Sequence, residues 1–177
     1  TNENNILHRI IKNNDFTLFD VVKTNSPSMD ITISSNFERI LSEFLDTSSL
    51  VDLYQKIPNK DHKKNLDEEV HKNLSDLFTS MSASSDEVIT QIEKTYNNFN
   101  LIIDPHTAVG LVCAEKLGIK GAMCLACAHP VKFQDTVKMS INKELKFEKD
   151  FNFDHEEKFD LLKNDYSIMK EYIQNHA

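Results

Sequence analysis

Apolar residues recur three and four positions apart along most of this chain, the spacing that lays a stripe along one face of a helix. Ile6, Ile10 and Ile11 predict a helix over 4–12. Phe37, Ile40, Leu41, Phe44 and Leu45 predict another over 36–46. Ser35, with Glu38 three residues on, reads as a capping box that opens it. Leu50, Leu53 and Tyr54 form a short stripe, and Val70, Leu74, Leu77, Phe78 and Met81 predict a helix over 66–81. A second capping box, Ser84-Ser85-Asp86-Glu87, opens a helix over 85–98 through Val88, Ile89 and Ile92.

Other stretches break this period. Phe16–Lys23 reads as a short strand and Asp30–Ser34 as an alternating extended piece. Leu101-Ile102-Ile103 is a strand candidate, and Asp104-Pro105 is a helix start, with Asp as cap and Pro in the first turn. That helix runs over 104–117 and stops at Gly118. Ala122–Ala128 is continuously apolar, as in a strand buried on both faces. His129-Pro130 ends it, and Phe133, Val137 and Ile141 place a helix over 130–142. Helix, buried strand, turn, helix is the order of a parallel α/β unit. On this pattern alone the expected fold class is a soluble α/β piece, with parallel strand candidates at 101–103 and 122–128 flanked by helices and a polar-rich helical stretch over 47–98. Asn59–Lys64 reads as a solvated linker, and Asp154 to Gln174 as one more helix.

Composition narrows the class. Of 177 residues, 40% are hydrophobic and 27% charged, as in a soluble globular protein. The formal net charge of −8 argues against a general nucleic-acid binder or docking on an anionic membrane. No apolar run approaches the ~20 residues of a membrane span, and no signal-peptide pattern opens the sequence. Thr1 reads as an internal or processed start. The count of 3 Cys fits a reducing, cytoplasmic compartment. The count of 3 Gly argues against a glycine-rich phosphate loop within these residues.

Few constellations suggest chemistry. Cys124 and Cys127 form a C-x-x-C, with Cys113 and His129 near in sequence, which raises zinc or redox. On a strand, residues three apart face opposite ways, and free Cys in an apolar run is a small buried hydrophobe, so no metal site is expected. His129 lies at the end of a predicted strand, where α/β sheets bind ligands. Asn36 and Arg39, in the first turn of a capped helix, could hold an anion. Lys132 follows Pro130 in the same way.

Four stretches carry more together. They are Thr1-Asn2-Glu3-Asn4-Asn5-Ile6-Leu7-His8-Arg9; Ser26-Pro27-Ser28-Met29-Asp30-Ile31 running into Ser34-Ser35-Asn36-Phe37-Glu38-Arg39; Ile103-Asp104-Pro105-His106-Thr107-Ala108-Val109-Gly110; and Ala128-His129-Pro130-Val131-Lys132-Phe133. In this order and spacing they resemble the C-terminal half of the threonine synthase family, in the branch with a long helical insertion. The resemblance covers roughly 1–142.

It implies part of a pyridoxal-phosphate enzyme of the tryptophan-synthase-like fold (fold type II). That family converts O-phospho-L-homoserine and water to L-threonine and phosphate, with the cofactor as electron sink. The family's Schiff-base lysine, in a Ser-Phe-Lys-Asp motif, and its glycine-rich cradle belong to the preceding half, so this chain alone should be inactive. Where the family reads Thr-Ala-His-Pro, this chain reads Cys127-Ala128-His129-Pro130, so Cys127 takes the position that faces the pyridine nitrogen. Asn36, Arg39, His129 and Lys132 match the pattern and are candidate substrate contacts. The implied organisation is 1–46 as part of the large α/β domain, 47–98 as the insertion, 99–142 as the core with the cofactor-facing strand end, and 143–177 as a helical tail. The implied partner is the N-terminal half. The competing reading is a stand-alone, non-catalytic α/β interaction module.

Overall fold

In the computed structural model the described residues are 1–57, 65–143 and 156–176, and they fall into two compact units, Thr1–Leu145 and Lys146–Ala177. The expected linker Asn59–Lys64 lies outside the described residues, as do Asp154 and His155 of the expected tail helix.

The first unit holds α1 (Ile6–Asn13), α2 (Glu38–Leu41), α3 (Thr47–Lys56), α4 (Glu68–Leu77), α5 (Ser85–Phe99), α6 (Pro105–Lys116) and α7 (Gln134–Ile141). Short 3-10 turns lie at Pro27–Met29, Ser35–Phe37 and Pro130–Phe133. The apolar stripes sort these helices into two cores. Ile6 and Ile10 of α1 meet Phe16, Phe37, Leu41, Leu53 and Leu74 in one. Val88 and Ile92 of α5 meet Val109 and Val112 of α6 and Val137 and Ile141 of α7 in the other. Fully buried side chains such as Leu41, Leu74 and Ile92 each contribute about 1.5–3 kcal/mol.

Local signals set the helix ends. Ser84 and Glu87 form the expected capping box at α5. Asp104 caps α6, with Pro105 in the first turn. At its far end Gly118 takes φ +66°, and the N–H groups of Gly118 and Ile119 donate to the carbonyls of Glu115 and Ala114. These are the two bonds of a Schellman motif, and they need the left-handed residue that Gly supplies most cheaply.

The expected helix over 36–46 is a correction. Only a 3-10 turn and the four residues of α2 form, and neither Ser34 nor Ser35 caps them through its side chain. Ser35 already lies inside the 3-10 turn, so its hydroxyl is not in the capping position. The helix expected over 66–81 is confined to α4.

The strands are the larger correction. Among the described residues no strand is assigned, at 101–103, 122–128, 16–23 or 30–34. An extended segment becomes a strand only beside a partner with which to exchange backbone hydrogen bonds. Segment 122–128 is also not buried on both faces. Met123 is 89% and Leu125 73% exposed, and only Cys124 turns inward onto α6. Elsewhere side-chain amides stand in for a neighbouring strand. Asn4 accepts from the Val22 N–H at 2.8 Å and donates to its carbonyl at 2.7 Å. Asn14 holds both backbone groups of Leu66 in the same way, each at 2.7 Å.

In the second unit the helix is α8 (Tyr166–His176), shorter than the expected 154–174. Asp165 starts it by accepting from the N–H groups of Ser167 and Ile168.

Candidate functional site

The N-terminus of α6 is where the sequence motifs meet. Asp104 is buried, and one carboxylate oxygen accepts from the His106 backbone N–H and lies 2.9 Å from its Nδ1. The other oxygen accepts from the Thr107 hydroxyl. On the far edge of the ring, the Ser28 N–H donates to His106 Nε2 at 3.1 Å. Phe133 packs against the ring at 4.6 Å between centroids, tilted by 59°.

The turn that carries Ser28 is held from the other side. Asn2, itself buried, donates to Thr24 Oγ1 and Asp30 Oδ1, each at 2.8 Å. Thr24 bonds Asp30 through both its hydroxyl and its backbone N–H. The opening stretch, the Ser26–Asp30 turn, the start of α6 and the turn ending at Phe133 thus form one connected assembly. The four stretches that resemble a family in sequence are contiguous in space.

Three of the sequence-derived site residues lie beside it in the chain. Cys127, His129 and Lys132 are exposed on the segment that leads into Phe133. His129 caps the 3-10 turn, its Nδ1 accepting from the Val131 N–H at 3.2 Å. Asn36 and Arg39 are exposed at the short turn around α2, so no multi-turn helix dipole stands behind them.

The three cysteines diverge. Cys113 donates to the Met81 carbonyl at 3.3 Å. Cys124 packs on α6 with its Sγ 3.7 Å from the Thr107 carbonyl. Burial, followed by the Asp104 charge, pushes the Cys124 thiol above its ordinary value. Cys127 is exposed. Among the described residues no three His, Cys, Asp or Glu side chains gather as a metal site would require.

A separate cleft of about 320 Å³ is lined by Asn5, Arg9, Phe19 and Asp20, among others. It offers no open anion seat. The Arg9 guanidinium already donates to Asn5, Asp15 and the Thr17 carbonyl and lies 4.5 Å over the Phe19 ring.

Sequence reasoning placed Asp104 and Pro105 at a helix start but gave no role to His106, Ser28 or Phe133. The Asp-Pro-His order carries the local part of that signal. The bond from Ser28, 78 residues away, leaves none.

Known proteins match this arrangement. The family model "Threonine synthase, C-terminal" matches residues 107–173. Threonine synthase of Saccharomyces cerevisiae is 35% identical across 85% of this chain, and that of Pseudomonas aeruginosa 29% across all of it. The chain spans 34% and 39% of the length of these two relatives. Among solved structures, PLP-bound threonine synthase from Brucella melitensis superposes with a TM-score of 0.76 at 30% identity. That match covers 99% of this chain and 39% of the Brucella chain. The yeast structure gives 0.71 at 34% identity over 87% of the chain.

The fold is therefore that of a C-terminal part within a larger family of proteins, one of which is solved with pyridoxal phosphate. In sequence and in structure, the chain corresponds to the C-terminal part of threonine synthases.

Proposed function

We propose that this chain completes a threonine synthase, the enzyme that turns O-phospho-L-homoserine and water into L-threonine and phosphate. The observation that carries the reading is the superposition of nearly the whole chain on the C-terminal part of a PLP-bound threonine synthase. The remainder of the enzyme would supply the lysine that anchors the cofactor and the cradle for its phosphate. This sequence contains neither a Ser-Phe-Lys-Asp motif nor a glycine-rich loop. By itself the chain is inactive.

The residues present fit one edge of the cofactor. Cys127 is exposed, and it stands at the end of an extended segment, where its thiol can meet the pyridine nitrogen of a cofactor held by the other part. Pyridoxal phosphate supplies an electron sink when bound. A thiol is a weaker hydrogen-bond partner than the hydroxyl usual in the family, so it favours an uncharged ring nitrogen. Arg39 and Lys132 are exposed cations suited to a phosphate ester, and Asn36 and His129 are exposed polar candidates for the same substrate.

The same reading accounts for segment 122–128. Met123 and Leu125 point outward while Cys124 between them turns onto α6, as neighbouring residues of an extended chain do. It would become a parallel strand of a fold-type-II enzyme once a strand of the other part lay beside it. The divisions at 1–46, 47–98, 99–142 and 143–177 belong to this proposal, as does a reducing, cytoplasmic setting, which an exposed Cys127 thiol suits.

Replacing Cys127 tests the reading in the complete, cofactor-loaded protein. Cys127→Thr should leave turnover intact and shift the cofactor absorption, and Cys127→Ala should shift it differently. Spectra identical in all three would remove Cys127 from the cofactor.

A further inference from the structure

We propose that His106 is a positioning residue for the segment 127–132, acting as a single-tautomer clip between the Ser26–Asp30 turn and the Pro130–Phe133 turn. The role in catalysis rests on the threonine synthase reading above; the clip itself does not.

The tautomer follows from the partners. A backbone N–H can only donate, so the Ser28 N–H at 3.1 Å requires a lone pair on Nε2. The neutral ring's proton is then on Nδ1, 2.9 Å from Asp104 Oδ1. Asp104 is in turn fixed, because its side chain is 1% exposed and its second oxygen is held by Thr107. A buried carboxylate behind one ring nitrogen, fixing what the other presents, is the arrangement that orients histidines at functional sites.

Each of the three ring features has its own use. The Nδ1–H seats the ring on the start of α6. The Nε2 lone pair takes a donor that the 3-10 turn leaves without a partner of its own, since the first N–H groups of a helical turn have none. The ring face takes Phe133. Phe133 closes the turn that His129 opens, and Val131 is buried between them. Moving the ring therefore moves the turn that carries His129 and Lys132 and, through it, Cys127. No other side chain has a donor, an acceptor and an aromatic face in this layout.

Two measurements test the proposal. In the chain itself, nitrogen NMR of the neutral His106 ring should show Nδ1 protonated and Nε2 bare, and hydrogen exchange should show the Ser28 amide protected. His106→Phe keeps the ring face and loses both nitrogens, so Ser28, Val131 and Lys132 amides should exchange faster, by about tenfold or more. His106→Gln keeps an acceptor and should restore part of the protection at Ser28. An Nε2–H tautomer, or Ser28 exchange unchanged in His106→Phe, would overturn the clip.

In the complete enzyme, His106→Phe should lower kcat by about 10- to 100-fold, the cost of a small misplacement at a reacting centre. KM should rise as well, because the displaced turn carries His129 and Lys132, and His106→Gln should recover part of both losses. A kcat unchanged in His106→Phe would overturn the positioning role. An inactive wild-type protein with the NMR results intact would instead refute the threonine synthase reading and leave the clip standing.

Discussion

Asparagine does work at the residue scale that its frequency in the sequence conceals. Asn14 ends α1 in the left-handed conformation at φ 53° and holds both backbone groups of Leu66. These are separable contributions. Asn14→Gly keeps the backbone geometry and loses the clamp, and should cost about 1–3 kcal/mol for the unpaired groups. Asn14→Ala loses both and should cost about a further 1 kcal/mol, because a Cβ resists positive φ. Urea midpoints of the two variants check the order. In the sequence such an Asn looks like any other, since an amide that pairs with a segment fifty residues away has no local signature. The same holds for Asn2 and for His106. Their distant partners, Ser26 and Asp30 for Asn2 and Ser28 for His106, leave no mark in the local sequence.

At the scale of elements, two capping signals that look alike in the sequence have different outcomes. The Ser84–Glu87 box forms and the Ser35–Glu38 box does not. Ser84→Ala should therefore cost about 1 kcal/mol, while Ser35→Ala should stay within about 0.5 kcal/mol, as at ordinary surface positions. Equal losses in thermal unfolding would contradict the structure. Glu87 adds a pH dependence. The Lys116 ammonium and the Ser84 N–H hold its carboxyl below the ordinary glutamate value. A depressed value means stability present above the unfolded value and lost as the pH falls through the folded one. The stability gap between wild type and Glu87→Gln should accordingly close on acidification.

Gly110 shows a second element-scale constraint. A Cβ there would lie 2.7 Å from Cys124 Sγ. Gly110→Ala gains roughly 0.5–1 kcal/mol of helix preference against an overpacking cost of about 1–3 kcal/mol, so a net loss is expected. With Cys124→Ala in the background, the same change should stabilise. That reversal of sign, read as a double-mutant cycle, would place segment 122–128 on α6.

For the whole molecule, helices were far more legible than strands. A helix satisfies its own backbone, so stripes and caps within a few residues announce it, as at α1, α5, α6 and α7. A strand is defined by its neighbour, and no periodicity within Ala122–Ala128 says whether that neighbour is present. The apolar run Ala122–Ala128 is plain in the sequence, but its burial depends on a neighbour, and Met123 and Leu125 face outward in this chain. The site followed the same division. The four stretches signalled a common origin, and the structure added that they touch.

The central claim is that these residues complete a threonine synthase. Its most direct test is the formation of threonine and phosphate from O-phosphohomoserine by the whole protein encoded in the reading frame that contains them, supplied with pyridoxal phosphate. Equal amounts of both products from that protein, and neither from residues 1–177 by themselves, are the predicted result. A folded, cofactor-loaded protein that releases neither would contradict it and leave an interaction module in its place.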